Sequence, residues 1–351
     1  MHIFISPYFN KIPFGGAICT TADYNIAIGI KSLLSDNKNI IIIGEDFFQK
    51  KNLENFENLK KYCKNEIKSI TYIQGSDVKY NPTYPSYIKQ FRYIVDLHGW
   101  GDLSKSSNGK LNLLLPYAYC YNYYKNSPVF KYTHTDNLYF LPHSVVFKTN
   151  INKNPINKIL LSGRGRKNSS KYPMRVFFYN ISQKDNRIEY LKPDHGYKVY
   201  EKNIKGKDTF GQKYINKLNE YIACLADDSI HYSPYILAKF FEILSSGSLL
   251  VACLQYTKIY FEQLGFIENQ HYISITKDNY DEKIKYILDP KNRKSIDKIR
   301  LNGYNLCNKY HTSKYRALQL LEILNNTENV IKYNNGIEGT SYHLVKNMNI
   351  L

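Results

Sequence analysis

Short aliphatic runs alternate with longer segments whose apolar residues recur at helical spacing, and the chain does this twice; that alternation is what a parallel sheet with helical crossovers requires. In the first half it predicts strands over His2 to Ser6, Asn39 to Gly44, Ile70 to Ile73, Tyr93 to Leu97 and Leu138 to Leu141, with a helix opening near Thr20-Thr21. Residues 104–136 are rich in Ser, Asn and Tyr and are expected to be loops, with one helix near Leu114 to Tyr124. The polar, Pro-containing segment Thr149 to Asn157 marks a linker. Beyond it the pattern restarts, with strands at Lys158 to Ser162, Ile188 to Leu191, Ile222 to Ala226 and Ser248 to Cys253. Helices are expected near Tyr172-Pro173, at Gly211 to Tyr221, Tyr235 to Ser245, Lys258 to Leu264, Asp281 to Leu288 and Asn292 to Asn308, and from the cap Thr312 to Leu324. The expected division is an α/β domain over 1–150, a second over 151–325, and a tail over 326–351 that packs back on the first domain or stays loose. Two open parallel sheets place ligand sites at the carboxyl ends of their strands, so facing domains would enclose a cleft.

Length and composition agree. At 351 residues the chain is long enough for two cores, and 43% apolar residues exclude the disorder that a net charge of +18 would otherwise suggest. The longest aliphatic run, Ile40 to Ile43, is far short of the roughly 20 residues that cross a bilayer, and the first residues lack the features of an export signal, so a cytoplasmic protein without a transmembrane segment is expected. Six scattered cysteines with no CxxC pair read as reduced packing residues, and no metal site is expected. The charge points to an anionic partner: nucleic acid, an anionic membrane surface or a phosphorylated small molecule. No acidic residue stands between Asp136 and Asp185, an interval holding Lys148, Lys153, Lys158, Arg164, Arg166, Lys167, Lys171, Arg175 and Lys184.

Within that interval a strand runs into Ser162-Gly-Arg-Gly-Arg-Lys167. Glycines let an anion approach the backbone, the next helix offers free N–H groups, and Arg164 and Arg166 supply forked donors, so the loop reads either as a phosphate site or as a solvated basic turn. Lys239 and Glu242 stand three apart, hence on one helix face, with Gly247 ending the helix, and by themselves read as an ion pair on an amphipathic helix before a buried strand. Asp96 and His98 end an apolar strand, the position from which a parallel sheet presents catalytic groups, and each is a candidate for proton transfer. His143 is a weaker candidate, and His311 reads as a helix cap. The tyrosine cluster from Tyr117 to Tyr124 reads mainly as composition bias rather than a stacking platform.

Taken together, Lys239-Phe-Phe-Glu242 followed by Ser246-Gly247-Ser-Leu-Leu-Val-Ala252 resembles the donor-site helix of GT-B glycosyltransferases, in particular the group-one branch and its spore-maturation-protein-like relatives. Tyr172 to Arg175, Asp194 to Tyr197, Gly211 to Tyr214, Leu264 to Phe266, Ile299 to Gly303, and Tyr310 to Thr312 with Arg316 follow in matching order, so the likeness spans about 158–320. It implies two Rossmann-like, doubly wound domains and a hexosyltransferase-type enzyme that moves a sugar from a UDP- or GDP-sugar to a hydroxyl on a glycan, protein or other acceptor. It further implies that Glu242 binds the donor ribose, that Lys239 with Arg164 or Arg166 neutralises the departing diphosphate in place of a metal or other cofactor, and that Gly15 and Gly16 give the diphosphate room. Pro234 occupies the position of the first Glu in the family's Glu-x7-Glu pattern. Three alternatives stand beside this reading: a nucleic-acid-binding protein using the basic 137–184 segment, a glycosyltransferase acting on DNA, and an inactive relative kept for assembly.

Overall fold

The computed structural model describes residues 4–5, 41–43, 71–74, 93–96, 138–140, 144–163, 172–192, 211–228, 237–255 and 257–316. The chain divides into two compact units, residues 1–144 with 313–351, and residues 145–312. In the first, β1 (Phe4–Ile5), β2 (Ile41–Ile43), β3 (Thr71–Gln74), β4 (Tyr93–Asp96) and β5 (Leu138–Phe140) form one sheet in sequential order, every pair parallel. All five lie inside the predicted strands or within a residue of them.

The second unit holds β6 (Ile156–Ser162), α1 (Pro173–Ser182), β7 (Ile188–Leu191), α2 (Gly211–Asn219), β8 (Tyr221–Asp227), α3 (Ala238–Ser246), β9 (Leu249–Cys253), α4 (Lys258–Gln263), β10 (Ile273–Ser274), α5 (Tyr280–Leu288) and α6 (Arg293–Tyr310). Its five strands are parallel, in the spatial order β7-β6-β8-β9-β10. β8 and β9 are buried at every residue, as strands covered on both faces must be, and this is why they read as unbroken apolar runs rather than alternating ones. Phe178, Ile222, Val251, Ile284 and Ile296 meet in the core, where a fully buried side chain of this size contributes about 1.5–3 kcal/mol. α1 starts with Pro173 in its first turn, where the missing N–H costs nothing. β10 was not expected: two residues are too few to leave a periodic signature.

Strand order fixes where a ligand site belongs. From β6 the chain crosses outward to β7, then returns past β6 to β8 and on to β9, so the direction of winding reverses between β6 and β8. Helices diverge at such a reversal and open a crevice beyond the carboxyl ends of the two strands. Several predicted features lie outside the described residues: the Gly15-Gly16 loop and the helix after it, the helix near Leu114 to Tyr124, His98, His143, the loop from Arg164 to Lys167, and the tail over 326–351.

Candidate functional site

Ser162 ends β6 and Asp227 ends β8, so both stand at the switch point, and α1 and α3 begin beside them. α1 is held to β8 through its first turn. The Asp227 carboxylate accepts from the Arg175 backbone N–H at 2.8 Å and, through its other oxygen, from Arg175 Nε and Nη2 at 3.1 and 2.9 Å. Both side chains are buried, and the guanidinium lies over the Tyr172 ring, 3.9 Å from its centroid. Burial works against the Arg175 charge, but Asp227 outweighs it and leaves the guanidinium pKa above its ordinary value.

Lys239 reaches the same place from the first turn of α3, donating from Nζ to the carbonyl oxygen of Ser162 at 2.6 Å. Gly163, at φ +112°, turns the chain out of β6 with a backbone that a side chain would strain. A methyl there would meet Lys239 Nζ at 2.9 Å and Arg175 Nη1 at 3.2 Å, so two cationic nitrogens flank one point beside a bare stretch of backbone. Tyr190 donates to the Gly163 carbonyl at 2.9 Å, and the Tyr214 and Ser162 hydroxyls are 2.6 Å apart, which fixes the end of β6 from behind.

Lys239 and Glu242 do not pair with one another among the described residues: Lys239 turns to Ser162, and the Glu242 carboxylate has no hydrogen-bond partner. Both keep partial exposure. Burial is the chief influence on each, pushing the Lys239 ammonium down, with Arg175 adding to the effect, and the Glu242 carboxyl up, against the pull of Lys239. Burial and the proximity of Glu242 push the Tyr214 phenol up, so it stays protonated. The charged end of the crevice thus holds two cations and two carboxylates, and of the carboxylates only Asp227 is hydrogen-bonded among the described residues.

Of the residues singled out in the sequence, the structure brings together Lys239 and Glu242 at the switch point. Gly247 stands at the other end of α3, where it forms a left-handed C-cap at φ 81° and packs against Ile151, with its carbonyl accepting from Arg300. Asp96 is the last residue of β4, paired in register with Gln74 and Phe140, at the carboxyl end of the first sheet. Arg164, Arg166, Gly15, Gly16 and His98 lie outside the described residues. Two participants were missed. Arg175 entered the sequence analysis only as one member of a basic interval and a motif, and Asp227 not at all, although a carboxylate closing an apolar strand is the signal that marked Asp96.

No family model matches the sequence, and no curated protein matches it. Solved structures do. An alpha-glucosyltransferase in complex with UDP shares 12% identity over 87% of this chain and 84% of that one, with a TM-score of 0.51. An alpha-glucosyltransferase in complex with UDP-glucose and DNA containing an abasic site, and an alpha-glucosyltransferase in complex with UDP and a 13-mer DNA containing a HMU base, superpose with TM-scores of 0.50 at 13% and 12% identity, over 87% of this chain and 84% of those. At such identities the likeness establishes the fold: α/β, of the GT-B type, built from two Rossmann-like units.

Proposed function

We propose that this chain is a glycosyltransferase that moves a sugar from a nucleotide-diphosphate sugar to a hydroxyl acceptor. The observation that carries the reading is the convergence of Lys239 and Arg175 on Gly163 at the β6/β8 switch point, with the Glu242 carboxylate close enough to act on Lys239 and without a hydrogen-bond partner among the described residues. In such a transfer the bond from the sugar's anomeric carbon to the diphosphate breaks and a bond to the acceptor oxygen forms. The diphosphate leaves with the electron pair, and the acceptor proton passes to a base. Negative charge grows on the diphosphate as that bond breaks, so fixed cations bind the transition state more tightly than the ground state and serve where other enzymes use a metal ion. Lys239, with Arg164 or Arg166, is assigned to the diphosphate, Glu242 to the ribose hydroxyls, and Asp96 or His98 to the acceptor proton. The second unit is assigned the donor and the first the acceptor. The likeness to UDP-bound structures favours UDP over GDP, and the motif order between Tyr172 and Arg316 supports the spore-maturation-protein-like branch.

A DNA acceptor is the second reading, favoured by two observations: the net charge of +18, and DNA in two of the solved structures that share the fold. One titration series separates these possibilities. UDP, GDP, CMP and their sugars are screened by thermal shift, and hits are followed by donor hydrolysis and by transfer to hydroxyl-bearing DNA or to glycans. A stabilising nucleotide, together with loss of turnover in Lys239→Ala and Glu242→Gln variants that keep their circular dichroism, is the expected result. Absence of any nucleotide hit at millimolar ligand removes the transferase reading, and polynucleotide affinity that falls steeply with salt then replaces it with simple nucleic-acid binding.

A further inference from the structure

Arg175 carries more hydrogen-bonding capacity than its ion pair uses. Asp227 takes Nε, Nη2 and the backbone N–H, and Nη1 has no partner among the described residues although its side chain is only 9% exposed. That nitrogen points to the spot where a Gly163 side chain would stand, the same spot that Lys239 Nζ approaches. A fold held only for stability has no reason to bring two cations to one glycine and leave a donor idle there, because their repulsion opposes folding. A diphosphate removes that conflict: it offers several acceptor oxygens and a charge that offsets both cations.

We propose that Arg175 is a diphosphate-binding residue of this site, acting through Nη1 beside Lys239, and that Asp227 is the positioning residue that holds the guanidinium in that pose. The assignment rests on the transferase reading for the identity of the ligand, but the anion cradle itself does not. Asp227 fixes the fork from one side and, by capping α1 at the Arg175 N–H, fixes the backbone that carries it. The guanidinium is therefore aimed before any ligand arrives, and little side-chain freedom is lost on binding.

The test uses the full chain, with inorganic pyrophosphate, UDP and uridine as probes in calorimetric titrations, and thermal midpoints recorded for every variant. Arg175→Gln alone would strand the Asp227 charge, so it is combined with Asp227→Asn; the double variant keeps the net charge and leaves no buried carboxylate unpaired. Pyrophosphate and UDP affinities are expected to fall tenfold or more in it, with uridine affinity unchanged. Wild-type affinity for pyrophosphate in the double variant, or equal losses for all three probes, would overturn the assignment. Asp227→Asn alone separates positioning from charge. Removing a negative group beside the site should by electrostatics strengthen anion binding, so a several-fold loss for pyrophosphate supports positioning and a gain refutes it. If wild-type protein binds pyrophosphate but neither UDP nor GDP, the transferase reading fails while the cradle stands. If it binds UDP but not pyrophosphate, the cradle fails while the transferase reading stands.

Discussion

Two arginines anchor opposite ends of the second sheet, and they are used differently. At the amino end, Arg300 of α6 spends every side-chain nitrogen on protein: Nε on the Gly247 carbonyl at 3.0 Å, Nη1 on Asp297 at 2.6 Å, and Nη2 on the Asn152 carbonyl at 3.1 Å. It closes the entrances to β6 and β9 and leaves nothing over. At the carboxyl end, Arg175 is held as firmly by Asp227 but its Nη1 has no partner among the described residues, with a second cation next to it. Saturation marks a bolt, whereas an idle donor on a rigid mount marks a binding group, and the two ends of one sheet show that burial alone does not separate these roles.

The comparison predicts that the largest loss of stability comes from the bolt. Arg300→Ala strands the carbonyl oxygens of Gly247 and Asn152 and should cost about 3–5 kcal/mol in chemical denaturation, with uridine and UDP affinities preserved in the protein that remains folded. Selective loss of UDP affinity in this variant would break the distinction. At the other end the sign reverses. Lys239→Met removes a cation that burial and Arg175 disfavour more than Asp227 and Glu242 favour it, and whose hydrogen bond among the described residues is to a carbonyl, so the unliganded protein should hold its stability or gain about 1 kcal/mol, while UDP binding weakens by roughly 10- to 100-fold. A large fall in thermal midpoint would show that Lys239 is structural.

Proton linkage sharpens the same contrast. The Lys239 pKa is pushed below its ordinary 10.5, so in the unliganded protein its contribution to stability is present above that value and is lost as pH falls through the depressed pKa. Glu242 is pushed above its ordinary 4.5, so its contribution is present below that value and is lost as pH rises through the raised pKa. A bound diphosphate favours the charged lysine. UDP binding on the alkaline side of neutrality should therefore take up a fraction of a proton, measured as a dependence of binding enthalpy on the buffer's ionisation enthalpy, and the uptake should vanish in Lys239→Met. Uptake that persists in that variant assigns the proton to another group.

Much of this architecture was legible in the chain because it is local and periodic. β8 and β9 announce themselves as unbroken apolar runs, Pro173 marks the start of α1, and Lys239 and Glu242 share a helix face that the sequence displays directly. The partners of those charges were not legible. Lys239 and Glu242 read equally well as an i,i+3 ion pair, and only the fold shows Lys239 turning to Ser162, 77 residues away in sequence. Arg175 and Asp227 are separated by 52 residues and meet because strand order places β6 and β8 side by side, a fact no local pattern encodes. Gly247 lay inside the most telling motif yet serves the far end of its helix, because a motif fixes spacing and not which end faces the crevice.

The smallest effect is expected one layer behind the cations. Tyr214 contacts no charged nitrogen through a hydrogen bond; its hydroxyl meets that of Ser162, and both groups are buried. Tyr214→Phe keeps the ring in the core and deletes one hydrogen bond, so it should lower stability by about 1 kcal/mol. Because the Ser162 carbonyl, not its hydroxyl, receives Lys239, the strand end should keep its place and UDP affinity should change by less than about threefold, under 1 kcal/mol. A loss of affinity in Tyr214→Phe as great as that in the Arg175→Gln/Asp227→Asn double variant would mean that the whole carboxyl end acts as one cooperative network, and that the idle nitrogen of Arg175 has no separate role.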